Sequence, residues 1–167
     1  MVVFLTGFMG SGKTHWGRLW AEASDYIFVD LDEKIAEDTG TSIVDLFEKK
    51  GEEYFREVEA KVLRQLDLKP GTIVACGGGA PCFHDNMNWM NASGKTIYLR
   101  ASPKFLWDRI RDEREVRPLL KNLNENELLF FIEKKLAERE PFYNQAQIIL
   151  NADELRTFTL QQILKDA

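Results

Sequence analysis

Gly7-Phe-Met-Gly-Ser-Gly-Lys-Thr14 is the stretch whose reading decides the fold. The apolar run Val2-Val3-Phe4-Leu5 precedes it, as a buried strand requires, and residues 15–21 continue it as a helix. A G-x-x-x-x-G-K-T pattern between strand and helix is a phosphate-binding loop. Its glycines let the backbone bend so that successive N–H groups face an anion, and the helix N-terminus adds partial positive charge. Within the pattern, Gly10, Ser11 and Gly12 form the cradle, and Lys13 reaches the β- and γ-phosphates. The Thr14 hydroxyl is a ligand for Mg²⁺. One half of the site is thus expected to hold a nucleoside triphosphate. The acceptor of the phosphate has to be read elsewhere.

Working outward, residues 27–29, 72–76, 96–99 and 146–150 read as further buried strands. Helices are expected at 33–38, closed by Gly40, and at 43–50, capped by Thr41 or Ser42 and ended by Gly51. Phe55, Val58, Val62, Leu63 and Leu66 recur at helical spacing over 52–66. Three more helices are expected at 103–111, 127–139 and 155–164. Residues 111–126 are polar, charged and broken by Pro118, so they read as an excursion from the core. Strands alternating with helices predict an α/β fold with a mostly parallel sheet covered on both faces.

A chain of 167 residues fits one such domain. Apolar residues at 44% and charged residues at 29% are ordinary for a globular protein. A net charge of −5 argues against a general attraction to nucleic acid or anionic membrane, so any functional arginines act locally. No apolar run approaches the roughly 18 residues of a membrane span. Cys76 and Cys82 are too few and badly spaced for zinc or a disulfide framework. With a strand from residue 2 and no charged-then-apolar leader, the expectation is a reduced cytoplasmic monomer with no nucleic-acid or membrane partner.

Ligands of a parallel α/β sheet bind outside the carboxyl ends of its strands. That rule gathers residues 7–14, Asp30 with Asp32, and Gly77-Gly78-Gly79 along one edge. In extended geometry Asp30 and Asp32 share a face. One meets the water shell of Mg²⁺, and the other orients an acceptor hydroxyl and takes its proton. Either also serves as a helix cap. The three glycines leave backbone N–H groups bare for a close ligand, or they form a plain turn. Arg56 lies within reach of Glu52 and Glu59, as a charged surface face or as a carboxylate fork. Phe47 and Phe55 read as core residues. Seven basic and four acidic residues lie between Arg100 and Lys121, and Arg117 sits where a closing lid can stabilise a transferring phosphoryl group. Arg139 is either a dipole partner at a helix end or a second anion fork. Neither His15 nor His84 has metal-ligand spacing to the other or to a cysteine.

Taken together, residues 7–14, Asp30-Leu-Asp32, Gly51-Glu-Glu-Tyr-Phe-Arg-Glu-Val-Glu59, Gly77-Gly-Gly79, Arg117-Pro-Leu-Leu120 and Arg139-Glu-Pro-Phe-Tyr143 resemble the shikimate kinases in content and order. The resemblance spans essentially the whole chain. It implies a nucleoside-monophosphate-kinase type of fold, with a five-stranded parallel core, a substrate-binding subdomain at about 32–61 and a lid at about 111–126. It also implies ATP and shikimate as substrates, with Mg²⁺.

By the same resemblance Asp32 binds the ring hydroxyls and is a candidate base. Arg56 and Arg139 grip the carboxylate, Gly77, Gly78 and Gly79 supply N–H groups, and Phe47 and Phe55 line the ring. Thr14 ligates Mg²⁺, with Asp30 behind a water. Lys13 and Arg117 stabilise the phosphoryl charge. Arg109 and Arg111 both fit the adenine contact. His15 stands beside the nucleotide where such enzymes carry threonine or another small residue. A gluconate kinase would use much of the same chemistry. A GTPase switch would need D-x-x-G and N-K-x-D, and neither occurs here.

Overall fold

The computed structural model describes residues 1–111, 120 and 123–165. Five strands, β1 (Val2–Thr6), β2 (Ile27–Asp30), β3 (Thr72–Ala75), β4 (Lys95–Arg100) and β5 (Ile148–Asn151), form one sheet in the order β2-β3-β1-β4-β5. Every pairing is parallel. Strands β1 and β3 are buried along their whole length, as their unbroken apolar runs require when both faces are covered.

Seven helices, α1 (Lys13–Ser24), α2 (Leu31–Thr39), α3 (Ile43–Gln65), α4 (Asn86–Ser93), α5 (Pro103–Ile110), α6 (Glu125–Tyr143) and α7 (Thr159–Lys165), pack on the sheet among the described residues. Side chains alternate along β1 and so divide the core. Val3 and Leu5 pack with Trp20 of α1 and Leu160 of α7, whereas Val2 and Phe4 pack with Leu63 of α3 and Met90 of α4. Tyr98 of β4 joins the α5–α6 cluster around Leu106, Ile132 and Tyr143.

Strand order places the site. From β1 the chain crosses through α1 to β2 at one edge; from β3 it crosses through α4 toward the other side of the sheet. The adjacent carboxyl ends of β1 and β3 are therefore a topological switch point, where an open α/β sheet leaves a crevice.

Several expectations change in detail. The helices expected at 43–50 and 52–66 meet end to end, broken only by Gly51 at φ 84 and ψ 168. Helix α6 starts earlier, behind an Asn124–Glu127 capping box, and continues through Pro141 to Tyr143, so Arg139 lies inside it rather than at its end. Helix α7 begins at Thr159 instead of 155. The helix Asn86–Ser93 was not expected, because its asparagine-rich sequence carries weak propensity and little periodicity. The expected lid falls mostly outside the described residues.

Candidate active site

Gly12 caps α1 at φ 95, a conformation that favours glycine, and the loop before it curls over the helix N-terminus. Lys13 is buried, and its Nζ donates to the Gly7 and Phe8 carbonyls at 2.9 Å each. The ammonium is thereby held in the mouth of the loop. Ser11 is fully buried, and its Oγ finds no hydrogen-bond partner among the described residues. A buried hydroxyl left open in a ring of backbone donors fits an anion.

Thr14 Oγ1 donates to Asp30 Oδ2 at 2.8 Å, joining the first turn of α1 to the end of β2. Asp30 Oδ1 accepts from the Asp32 backbone N–H at 3.0 Å and caps α2. Asp30 thus caps α2 with one carboxylate oxygen while the other meets Thr14. The extended geometry expected for the pair does not hold: Asp32 lies in the first turn of α2, so the helix rather than the strand aims its carboxylate. A hydroxyl and a carboxylate side by side are the oxygen donors that a hard divalent cation takes when it keeps most of its water.

Opposite the loop stands Arg56, only 6% exposed. Its Nη1 donates to Glu59 Oε2 at 2.8 Å, and Nε and Nη2 donate to Glu52 Oε1 at 3.3 and 3.1 Å. The guanidinium also lies over three rings, at 5.7 Å from Phe47, 5.1 Å from Phe55 and 4.7 Å from Phe83. Burial alone would weaken its hold on the proton, but the Glu59 and Glu52 carboxylates outweigh that and raise its pKa. Glu59 is fully buried, and its Oε1 has no hydrogen-bond partner among the described residues. Burial pushes its pKa up to about 7 against the opposing pull of Arg56, and the nearby Asp32 charge adds to the rise.

The three glycines run between these groups, and their missing side chains explain the spacing. A Cβ on Gly79 would lie 2.5 Å from Arg56 Cζ, and one on Gly77 would lie 2.8 Å from Glu59 Oε1 and 3.1 Å from Asp32 Oδ1. At Gly78 it would meet Met9 N at 3.3 Å and Arg139 Nη1 at 3.4 Å. Arg139 lies over the Phe8 ring at 5.5 Å, and Tyr143, one turn further along α6, donates its hydroxyl to Gly78 O at 2.5 Å.

These residues enclose a cavity of about 630 Å³, which takes in Lys13, Thr14, Asp30, Asp32, Arg56, Gly77, Gly78, Gly79 and Arg139. Phe47 and Phe55, whose ring centroids are 4.4 Å apart, line it and also belong to the packing beneath, Phe55 as a buried core residue and Phe47 against that core. Arg109 belongs to it too: its Nη1 would lie 3.3 Å from a Cβ on Gly12, and its guanidinium sits over Phe105 at 4.6 Å. Arg111 instead lies over Trp107 at 5.0 Å. His15 is exposed on the cavity wall, edge-on to Trp16 with ring centroids 5.2 Å apart. Arg117 lies outside the described residues. Asn151 and Asp153 line a separate cavity of about 550 Å³ beside Ser102.

Two contributors, Phe83 and Tyr143, had not been assigned to the site. Tyr143 closes the motif that begins at Arg139, a signal present in the sequence. Phe83 carries no local signal, since only the tertiary fold brings it onto Arg56.

A family profile described as shikimate kinase matches residues 9–167. The chain belongs to the shikimate kinase family. The shikimate kinase of Bacteroides thetaiotaomicron is 44% identical over 153 residues, 92% of this chain and 87% of that protein. A crystal structure of the shikimate kinase from that organism superposes with a TM-score of 0.93 at 40% identity, covering 99% of this chain and 98% of that one. The Acinetobacter baumannii shikimate kinase, solved in complex with shikimate, gives a TM-score of 0.84 at 34% identity over 99% of this chain and 93% of its own. As a member of the shikimate kinase family, the chain is an ATP-dependent phosphotransferase of aromatic amino-acid biosynthesis. The five-stranded parallel sheet is likewise that of the family's solved structures.

Proposed function

We propose that the cavity transfers the γ-phosphoryl group of ATP to a ring hydroxyl of shikimate, with the donor over residues 7–14 and the acceptor between α3 and the three glycines. The observation that carries this reading is Arg56, a buried guanidinium braced by two glutamates and facing a cleft that also holds Arg139. Paired guanidinium groups fit a small carboxylate acceptor. In support, the Acinetobacter baumannii relative was solved with shikimate bound.

The acceptor carboxylate is gripped by Arg56 and Arg139, with N–H groups of residues 77–79 beside it, and Phe47 and Phe55 pack against the ring. Asp32 orients the attacking hydroxyl and takes its proton. Lys13 leaves the Gly7 and Phe8 carbonyls for the transferring phosphoryl oxygens, where its charge matters most in the transition state. Arg109 meets the nucleotide base and His15 the adjoining phosphate side. Thr14 and Asp30 would hold Mg²⁺, which when bound neutralises charge on the phosphates. Arg117 adds a further positive charge to the phosphoryl group, in keeping with the family resemblance. Residues 32–61 then form the acceptor-binding subdomain and residues 111–126 the lid.

No helix among the described residues is long and apolar enough to cross a membrane. Two free cysteines and ATP dependence support a cytoplasmic setting.

A coupled assay of ADP release tests the reading with ATP, Mg²⁺ and either shikimate or gluconate. ADP release that depends on shikimate and not on gluconate is expected. Good ATP binding without shikimate-dependent release overturns it.

A further inference from the structure

Residues 77–79 present backbone groups to the acceptor but have no side chains with which to hold their own place. Tyr143 ties Gly78 O from α6. On the other side, the chain folds back through a 3-10 turn, Ala80–Cys82, into α4, and here a second set of ties appears. Asn86, the first residue of α4, is fully buried. Its Nδ2 donates to Ala80 O at 2.9 Å, and its Oδ1 accepts from Arg64 Nη1 at 2.6 Å. Ala80 directly follows the glycines, and its own N–H returns to Gly77 O at 3.0 Å, so Asn86 grips the turn that closes the loop.

We propose that Arg64 and Asn86 are positioning residues, a brace that sets residues 77–79 against Arg56 and thereby sets acceptor affinity without touching substrate. This rests on the acceptor reading given above.

Three features carry it. First, Arg64 spans two elements at once: beyond Asn86 it donates to Ala60 O at 3.0 Å on its own helix and to His84 O at 2.7 Å in the turn before α4. Second, that turn is strained. His84 and Asp85 are consecutive non-glycine residues at φ 49 and 57, a conformation that persists only when its surroundings impose it. The bond from Arg64 to His84 O is such a constraint. Third, Arg56 and Arg64 both lie on α3 beyond the Gly51 break. The residue that grips the acceptor and the residue that braces the loop thus share one rigid body. The gap between Arg56 and Gly79 has no slack, since even a Cβ would not fit. Misplacement of a reacting ligand by about an ångström is costly to catalysis. Packing alone does not call for a buried amide; one tied at both ends specifies geometry.

Asn86→Asp separates positioning from stability, because it keeps the acceptor for Arg64 and replaces the donor to Ala80 O with an oxygen. Arg64→Lys keeps the charge but cannot fork between Asn86 and His84. In each variant the KM for shikimate should rise by about tenfold, the effect of one lost buried hydrogen bond, with the KM for ATP unchanged. Folded variants with unchanged shikimate KM, or with both KM values rising in parallel, overturn the brace. If Asn86→Asp does not fold, Arg64→Lys decides. Amide hydrogen exchange without ligands gives a readout independent of the acceptor's identity. Residues 77–83 should exchange faster in the variants while α1 stays as in the wild type, and unchanged exchange also overturns the proposal. A wild-type protein inactive on shikimate would instead overturn the acceptor reading and leave the exchange result standing.

Discussion

Arg56 and Glu59 face each other one helical turn apart, joined from Nη1 to Oε2 at 2.8 Å and both buried. Glu52 holds the other edge of the guanidinium. A buried ion pair is weak evidence for stability as such, because desolvation offsets much of the attraction. Its value here lies in aim: the arginine is fixed before any anion arrives, so little ordering remains to be done on binding.

Arg56→Ala should therefore weaken shikimate far more than ATP. Loss of a charged, hydrogen-bonded partner costs on the order of 2–4 kcal/mol, roughly 30- to 1000-fold in affinity. Calorimetric titration with each ligand in turn checks this. Equal losses for both would mean that Arg56 serves mainly to hold α3 together through Glu52 and Glu59.

Glu59 should make the ligand-free protein sensitive to pH. Its folded pKa of about 7 lies above the ordinary 4.5, so between those values the native state binds more proton than the unfolded chain. Its contribution to stability is complete below about pH 4.5 and is lost as pH rises through 7. Denaturant unfolding across that window should show wild-type stability declining relative to Glu59→Gln. Parallel pH profiles for the two proteins would remove Glu59 as the source.

Two glycines should respond to alanine for opposite reasons. Gly51 has nothing within 4 Å, yet it holds φ 84 and ψ 168, a region essentially confined to glycine. Gly51→Ala should lower unfolding free energy by about 1–3 kcal/mol through the backbone alone, as read by urea titration.

Gly79 has an ordinary helical conformation at φ −91 and ψ −16, but no space. A methyl group there displaces the Arg56 guanidinium. Gly79→Ala should reduce kcat/KM for shikimate on the order of a hundredfold, with nucleotide binding retained. Retained shikimate kinetics would show that Arg56 has room to shift without loss.

Asp32→Asn should act on turnover, lowering kcat by about 10²- to 10⁴-fold, the range for a positioned general base. Single-turnover measurements at saturating ATP and shikimate isolate the chemical step. An unchanged rate removes Asp32 from the base role.

Much of the site was legible in the sequence wherever function depends on a short stretch with fixed local geometry. The phosphate loop reads directly because Gly12, Lys13 and Thr14 must be contiguous to close a cradle and start a helix. Helical spacing alone brings Arg56 and Glu59 within reach, but it leaves a charged surface face and a fork equally open, and burial decides for the fork. Other parts required the fold. Sequence left Arg109 and Arg111 equivalent; the packing of α5 puts Arg109 beside Gly12 and turns Arg111 onto Trp107. Likewise, residue type alone reads Phe47 and Phe55 as core residues, and only the structure shows them serving the core and the cavity wall at once.

By itself, then, the sequence determined the α/β class, the phosphate loop, the acidic pair after β2, the glycine run after β3 and the family resemblance, because each lies in backbone periodicity or in contiguous residues. Only the structure decided that Asp32 is aimed by a helix turn, that Tyr143 holds Gly78 while Asn86 holds the Ala80 turn that follows the glycines, and that Phe83 lies over Arg56. The contacts of Tyr143 with Gly78, of Arg64 with Asn86 and of Phe83 with Arg56 join residues far apart in the chain. They exist because α3 and α4 pack on the same face of the sheet and the end of β3 lies beside that of β1.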